Sequence, residues 1–363
     1  MTSQNRFKSI LLGGCLLAGA GAQVNAQALA SSSGGMGAIY TLTNALTGNE
    51  VLAFHRSADG GLTPAGAVAS GGAGTGAALG SQGALALSGD RHWLFVVNAG
   101  SNSVSSFRVQ ADGLVLADTA LSGGTTPVSL AVRGRLLYVL NQGGTGNISG
   151  FWVDAHGKLT QIPESTRPLS SPTAGAAEIA FSPDGEMLVV SEKGTQTLDT
   201  YQVQGHGLVT GPTTHASNGA VPFGFTFTGR DELLVTEAGS NAVSSYDLDA
   251  ESLATVSPSL NSQGAAPCWI AATPDGRYAY ATNAHVGSIA GFSVGREGAL
   301  TFAGLTPTAS IPLLDIATTQ RFVYALAGGT HQVLAYRVEP DGSLIALGSV
   351  GGLPVTAVGL VAR

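Results

Sequence analysis

Apolar residues along this chain come in short runs separated by turn residues. Ile179–Val190 and Ile270–Ala281 each hold two such runs joined by Pro-Asp-Gly, the pattern of an antiparallel hairpin. One aromatic recurs at Phe54, Phe107, Phe151, Tyr201, Tyr246, Phe292 and Tyr336, at intervals of 53, 44, 50, 45, 46 and 44 residues. A leucine follows each after seven or eight residues, at Leu62, Leu114, Leu159, Leu208, Leu253, Leu300 and Leu344. Between aromatic and leucine lies a turn such as Asp59-Gly60, Asp112-Gly113, His156-Gly157 or Asp341-Gly342, where glycine supplies the positive φ of a tight hairpin. Each repeat, about 46 residues long, predicts four short antiparallel strands, named a to d from the channel outward, and a period of that length announces a propeller.

The count is seven. The first repeat, from Ala38, supplies strands b, c and d but no strand a, while the C-terminal segment Leu353–Val361 resembles strand a of the third repeat, Pro127–Val132. The last strand is therefore expected to pair with the first, closing the ring and removing its open edges. The predicted fold is an all-β, seven-bladed β-propeller over residues 29–363.

Strand order decides which residues can meet. The a–b and c–d turns share one face, the bottom, and their polar residues, including His156 and His206, read as turn chemistry. The start of strand a, the b–c loop and the exit from strand d share the other face, the top. Alignment of the repeats places Asn44, Asn98, Asn141, Ser191, Glu237, Asn283 and Ala327 at the strand-b ends on that rim. Glu192, Lys193 and His285 fall in the adjoining b–c loops. Glu178, Phe223, Cys268 and Trp269 begin inner strands, and Arg167 belongs to the long connection between blades three and four. The asparagines read as turn caps and the strand-c aromatics as packing. The charged residues depart from the repeat where other blades are neutral, and a charge near a narrow channel mouth is either paired or functional.

Composition adds a location and removes one class of partner. Arg6 and Lys8 precede an apolar run from Ile10 to Ala22, followed by small-residue cleavage patterns near residues 26 and 28. This order reads as a secretory signal peptide over residues 1–28, and the run is too short for a permanent membrane span. Lipidation at Cys15 is the competing reading, disfavoured by the few apolar residues before it. Cleavage leaves 14 Lys and Arg against 23 Asp and Glu, an acidic balance that excludes nucleic acid as an expected partner. It also leaves Cys268 as the sole cysteine, so burial must stabilise the fold in a periplasmic or secreted setting.

Over nearly the whole mature chain the sequence resembles the bacterial β-propeller lactonase-like proteins, the group of 6-phosphogluconolactonase and the carboxymuconate cyclases. The resemblance rests on Phe181–Gly185, Leu188–Gly194, Pro222–Phe227, Leu234–Glu237 and Cys268–Tyr280. It implies a lactone or an unsaturated dicarboxylate as substrate. In the phosphogluconolactonase branch, blade four opens with a Pro-His-x-His segment and its strand b ends in Asp-x-Gly-x-Asp. Here those places read Thr173–Glu178 and Ser191–Gln196, without the histidines or the aspartates; Glu237 matches the acid of blade five.

Two function classes follow. In the first, Glu237 or Glu192 is the base that activates water, with Lys193 as the third member of the catalytic set. Lys193 and Arg167 then hold a carboxylate or the oxyanion, and His285, Asn283 and Trp269 complete the substrate contacts. In the second, the top face binds a polymer or an envelope protein without chemistry. Four asparagines and one glutamate carry too little charge for a tight calcium site, so neither a metal nor a cofactor is expected.

Overall fold

The computed structural model describes residues 37–229, 232–249 and 252–363. The expected leader and Cys15 lie outside the described residues. Strand b is the most deeply buried element of each repeat: every residue of Leu136–Asn141, Met187–Glu192, Glu232–Glu237 and Phe322–Ala327 is buried. Lying between strands a and c, with a neighbouring blade on each face, it needs an unbroken apolar run. Strand d faces solvent, and its burial varies along the strand in Val209–Ala216 and Leu300–Pro307.

Seven sheets result, each in the order a-b-c-d. In blade three the outer position is divided between Leu159–Gln161 and Arg167–Pro168, both paired with Asn147–Val153. The recurrent aromatics are all buried, from 0% exposed at Phe107 to 5% at Tyr336. A second connection between blades runs along the bottom. The strand-b tyrosines Tyr138, Tyr280 and Tyr324 donate from their hydroxyls to the carbonyls of Gly207, Gly342 and Gly60 in the next blade's c–d turn, at 2.9, 2.9 and 3.0 Å. Gly60 is required twice over: its φ is +93°, and a Cβ there would lie 2.5 Å from the Phe322 ring.

The ring closes as the repeat count demands. Val358–Ala362 is the inner strand of blade one, with Ile39 opposite Ala362 and Tyr40 opposite Val361. The Arg363 N–H donates to the Ala38 carbonyl at 2.8 Å. The strand starts later than Leu353, because residues 353–357 first turn over the top of blade one, where the Thr356 hydroxyl donates to the Thr43 carbonyl at 2.6 Å.

Inside the ring, the inner strands of blades three, four, six and seven have a bulge near their start, and the residue after it occupies an equivalent place: Ser129, Glu178, Trp269 and Asp315 face Leu140, Ser191, Thr282 and Leu326. Two of these side chains satisfy backbone groups on the next blade's free inner edge, which would otherwise go unpaired. Ser129 Oγ accepts the Ile179 N–H at 3.1 Å, and Glu178 Oε2 accepts the Phe225 N–H at 2.5 Å. Burial pushes the Glu178 and Asp315 carboxyls well above the usual range, and the nearby Asp315 raises Glu178 further.

Candidate functional site

The strand-b ends are a ring of buried hydrogen-bonding residues, and their register corrects the alignment of repeats at two places. Asn141, Glu192, Glu237 and Asn283 pair with Pro127, Ala176, Pro222 and Pro267, so Glu192 is the equivalent of Glu237 and Ser191 precedes it. In blade one the equivalent is Thr43, whose N–H donates to the Glu50 carbonyl at 2.9 Å; Asn44 lies one residue beyond. A one-residue slip reverses the face of a strand side chain. Glu192 accordingly points into its blade, opposite to Ser191, whose hydroxyl donates to the Phe223 carbonyl.

All four side chains grip the connection that precedes their own blade. Ser262 Oγ donates to Asn283 Oδ1 at 2.8 Å, and Asn141 Nδ2 donates to the Ser122 carbonyl at 3.2 Å. Glu237 is the most heavily engaged. Its oxygens accept from Ser217 Oγ at 3.4 Å, the Gly219 N–H at 2.8 Å, Ser244 Oγ at 2.6 Å, Tyr246 OH at 3.5 Å and Ser259 Oγ at 2.6 Å. Serines at 70, 122, 170, 217, 262 and 310 mark these connections, a recurrence that alignment on aromatics and leucines passes over.

Glu192 has a second carboxyl beside it. The Ser170 N–H lies 3.0 Å from Glu192 Oε1 and 3.1 Å from Asp199 Oδ2, the Ser170 hydroxyl donates to Glu192 Oε2, and Thr195 Oγ1 reaches the same oxygen at 2.6 Å. Both acids are fully buried. Burial first, and the Glu192 carboxyl second, push Asp199 up to about 7. The folded protein thus keeps a proton that the unfolded chain releases near pH 4. Stability contributed by this pair is expected to fall as pH rises from about 4 through 7. Glu178 and Asp315 act in the same direction, so Asp199→Asn should flatten part of the slope in urea unfolding measured across that range. An unchanged slope would show that the pair carries no shared proton.

The residues that do gather at the top mouth come from blades four, five and six. Lys193 Nζ stands 4.9 Å from the centre of the Phe223 ring, and Phe223 meets Trp269 edge to face at 5.1 Å. Cys268, 8% exposed, adjoins them. Burial holds the Lys193 ammonium below the usual amine range and pushes the Cys268 thiol up to about 12; each group's charge counteracts the other's shift. Two backbone carbonyls come down onto this cluster from the connection between blades one and two. Gly80 O accepts from Lys193 Nζ at 2.5 Å and Ser81 O from Trp269 Nε1 at 2.8 Å. Of the residues the sequence nominated, Lys193 and Trp269 are brought together. His285 is exposed in the b–c loop of blade six. Arg167 does not reach the mouth: its guanidinium bonds the carbonyls of Val209, Glu164 and Thr166 at the outer edge of blades three and four.

A concavity of about 340 Å³ lies on the bottom face between blades four and five, lined by Asp184, Glu186, Gln202 and Asp249 among others. Its Asp184 serves its own turn, accepting from Ser182 Oγ at 2.5 Å and the Glu186 N–H at 2.9 Å. It offers neither the ammonium nor the aromatic wall of the mouth. Among the described residues there is no cluster of three or more metal-ligating side chains, and no helix is long and apolar enough to cross a membrane.

The sequence matches the family model described as Lactonase, 7-bladed beta-propeller over residues 42–173, 164–257 and 251–351. The chain belongs to this family. Solved structures share the fold of the lactonase-family chain at low identity. A candidate 6-phosphogluconolactonase from Bacteroides fragilis has a TM-score of 0.73 at 19% identity, covering 92% of this chain and 100% of its own. The periplasmic gluconolactonase of Pseudomonas aeruginosa has a TM-score of 0.68 at 19% identity, covering 89% and 99%. Virginiamycin B lyase from Staphylococcus aureus has a TM-score of 0.54 at 12% identity, covering 74% and 85%. No curated protein matches the lactonase-family chain in sequence.

Proposed function

We propose that this lactonase-family propeller is exported and opens a small lactone at the top mouth of its channel. The observation that carries the reading is the Lys193 ammonium on the Phe223 and Trp269 wall. Among the described residues no carboxylate lies within salt-bridge distance of it, and burial lowers its pKa. An arriving carboxylate or a developing oxyanion offsets that desolvation cost, which is the differential binding that hydrolysis needs. Trp269 and Phe223 cover the apolar face of a ring. Glu192 and Glu237, with Asn283, hold the connections that shape the mouth; Arg167 braces the rim from outside.

The test is turnover of a panel of sugar and alicyclic lactones by the secreted form, with Lys193→Met alongside. Lys193→Met is expected to keep the fold and to lower kcat/KM roughly a hundredfold, as loss of one oxyanion-stabilising donor does. Equal turnover in parent and variant would remove Lys193 from the mechanism. Export is checked by fractionation and by sequencing the mature N-terminus, expected near residue 27 or 29; a lipid on Cys15 would establish the anchored form.

The engagement of Glu192 and Glu237 by their own blades favours a second reading, in which the same mouth binds an acidic small molecule, polymer or envelope protein without turning it over. Binding without turnover across the panel selects it.

A further inference from the structure

The connection between blades one and two, Ser70–Ala84, is rich in glycine and runs across the top of the ring. Its first half is fixed to blade one, where the N–H groups of Gly74 and Gly76 donate to the Ala45 and Asn44 carbonyls at 2.7 and 2.9 Å. Its second half descends into the channel. Ser81 Oγ donates to the Val128 carbonyl of blade three at 2.9 Å, and the Gln82 N–H to Ala177 O of blade four at 3.1 Å. The Gln82 side chain reaches furthest: Oε1 accepts the Ile270 N–H at 3.0 Å, while Nε2 donates to Ile270 O at 2.8 Å and Phe225 O at 3.2 Å. Blades three to six are thus tied to three consecutive residues of a remote connection.

Gly224 explains why the amide fits there. It occupies the place in blade five that Ser129 fills in blade three and Glu178 in blade four, each bonding the next blade's backbone N–H. Glycine has no side chain to offer Ile270, and the Gln82 amide supplies what is missing. The fit is exclusive, because a Cβ on Gly224 would lie 2.2 Å from Gln82 Oε1. The inserted residues are bracketed by glycines with positive φ, Gly80 at +62° and Gly83 at +80°, a conformation costly for other residues.

We propose that Gly80–Gln82 is a plug latched by Gln82, and that an acidic ligand reaches Lys193 and the Trp269 indole only by displacing the Gly80 and Ser81 carbonyls from them. The plug presents to these two donors the same chemistry as the ligand, a carbonyl or carboxylate oxygen, and so competes with it. Gln82 is a positioning residue in this arrangement, since it touches no reacting atom. The displacement half rests on the mouth being the binding site; the latch half does not.

Thiol labelling of Cys268 reads the latch without any ligand. In a Cys15→Ser chain, Gln82→Ala is expected to raise the labelling rate by an aromatic disulfide reagent about tenfold or more, as loss of its side-chain hydrogen bonds implies. That rate should stay flat at low urea, where circular dichroism shows the ring intact, which marks a local opening. Gly224→Ala should do the same by expelling the amide. Parental rates in both variants, or rates that climb only with global unfolding, would overturn the latch. Calorimetry with D-gluconate reads the displacement: Gln82→Ala should bind at least about tenfold more tightly than the parent, and Gln82→Ala with Lys193→Met should not bind. Equal affinity in parent and Gln82→Ala would overturn the competition. No binding by either would overturn the acidic-ligand half, while turnover of the lactone panel decides the lactone reading and labelling decides the latch.

Discussion

Removal of residues 353–363 is expected to abolish the native ring rather than loosen one end of it. The deleted segment carries the inner strand of blade one and buries Leu353, Ala357, Val358 and Leu360. Its loss exposes the inner edge of Gly37–Leu42, and it strips the partners from Tyr40, Leu42 and the Ala38 carbonyl. Deleting buried aliphatic side chains costs about 2–5 kcal/mol each, so the total is on the order of the whole stability of an ordinary domain. Insoluble product, or a thermal transition lowered by tens of degrees, is the expected outcome in scanning calorimetry. A soluble truncated protein melting with the parent would show that blade one stands without its closing strand.

The second large effect is expected at Glu237. Glu237→Leu fills the same space but leaves the Gly219 N–H and the hydroxyls of Ser244 and Ser259 facing an apolar group. Each buried donor left unpaired costs about 1–3 kcal/mol, so the variant should lose roughly 3–5 kcal/mol, read as a shifted urea midpoint. Glu237→Gln keeps one acceptor oxygen and should lose less. The pair of measurements also separates stability from chemistry. A Glu237→Gln protein that is as stable as the parent but no longer turns over a lactone would place this carboxylate in the reaction, and Glu237→Leu at parental stability would refute the structural role.

The parts of the fold that recur could be read from the sequence. Aromatics in strand c, leucines in strand d and Asp-Gly turns repeat because every blade faces the same packing problem, and the ring closure followed from one missing and one surplus strand. The site was harder because it lies where blades differ. Placing the end of strand b at Ser191 instead of Glu192 leaves the backbone within one residue of its place but reverses the side chain, sending a carboxylate into the blade that was expected at the mouth. Lys193 and Trp269 were legible since each stands at an end of a recognisable strand. Gln82 was not, because it sits in a glycine-rich stretch with no apolar period, and its partners Phe225 and Ile270 are remote in sequence.

The pairing of Gln82 with Gly224 also bears on how this ring came to be. A unit copied seven times places the same residue at each equivalent position, and seven identical copies would carry either seven glycines or none at the place of Gly224. The plug needs one glycine in blade five and one glutamine in the connection after blade one, so it is a property of the assembled ring and of no single blade. Transplanting blades five and six into a related propeller would leave the Ile270 N–H without its acceptor unless the connection over residues 70–84 travelled with them.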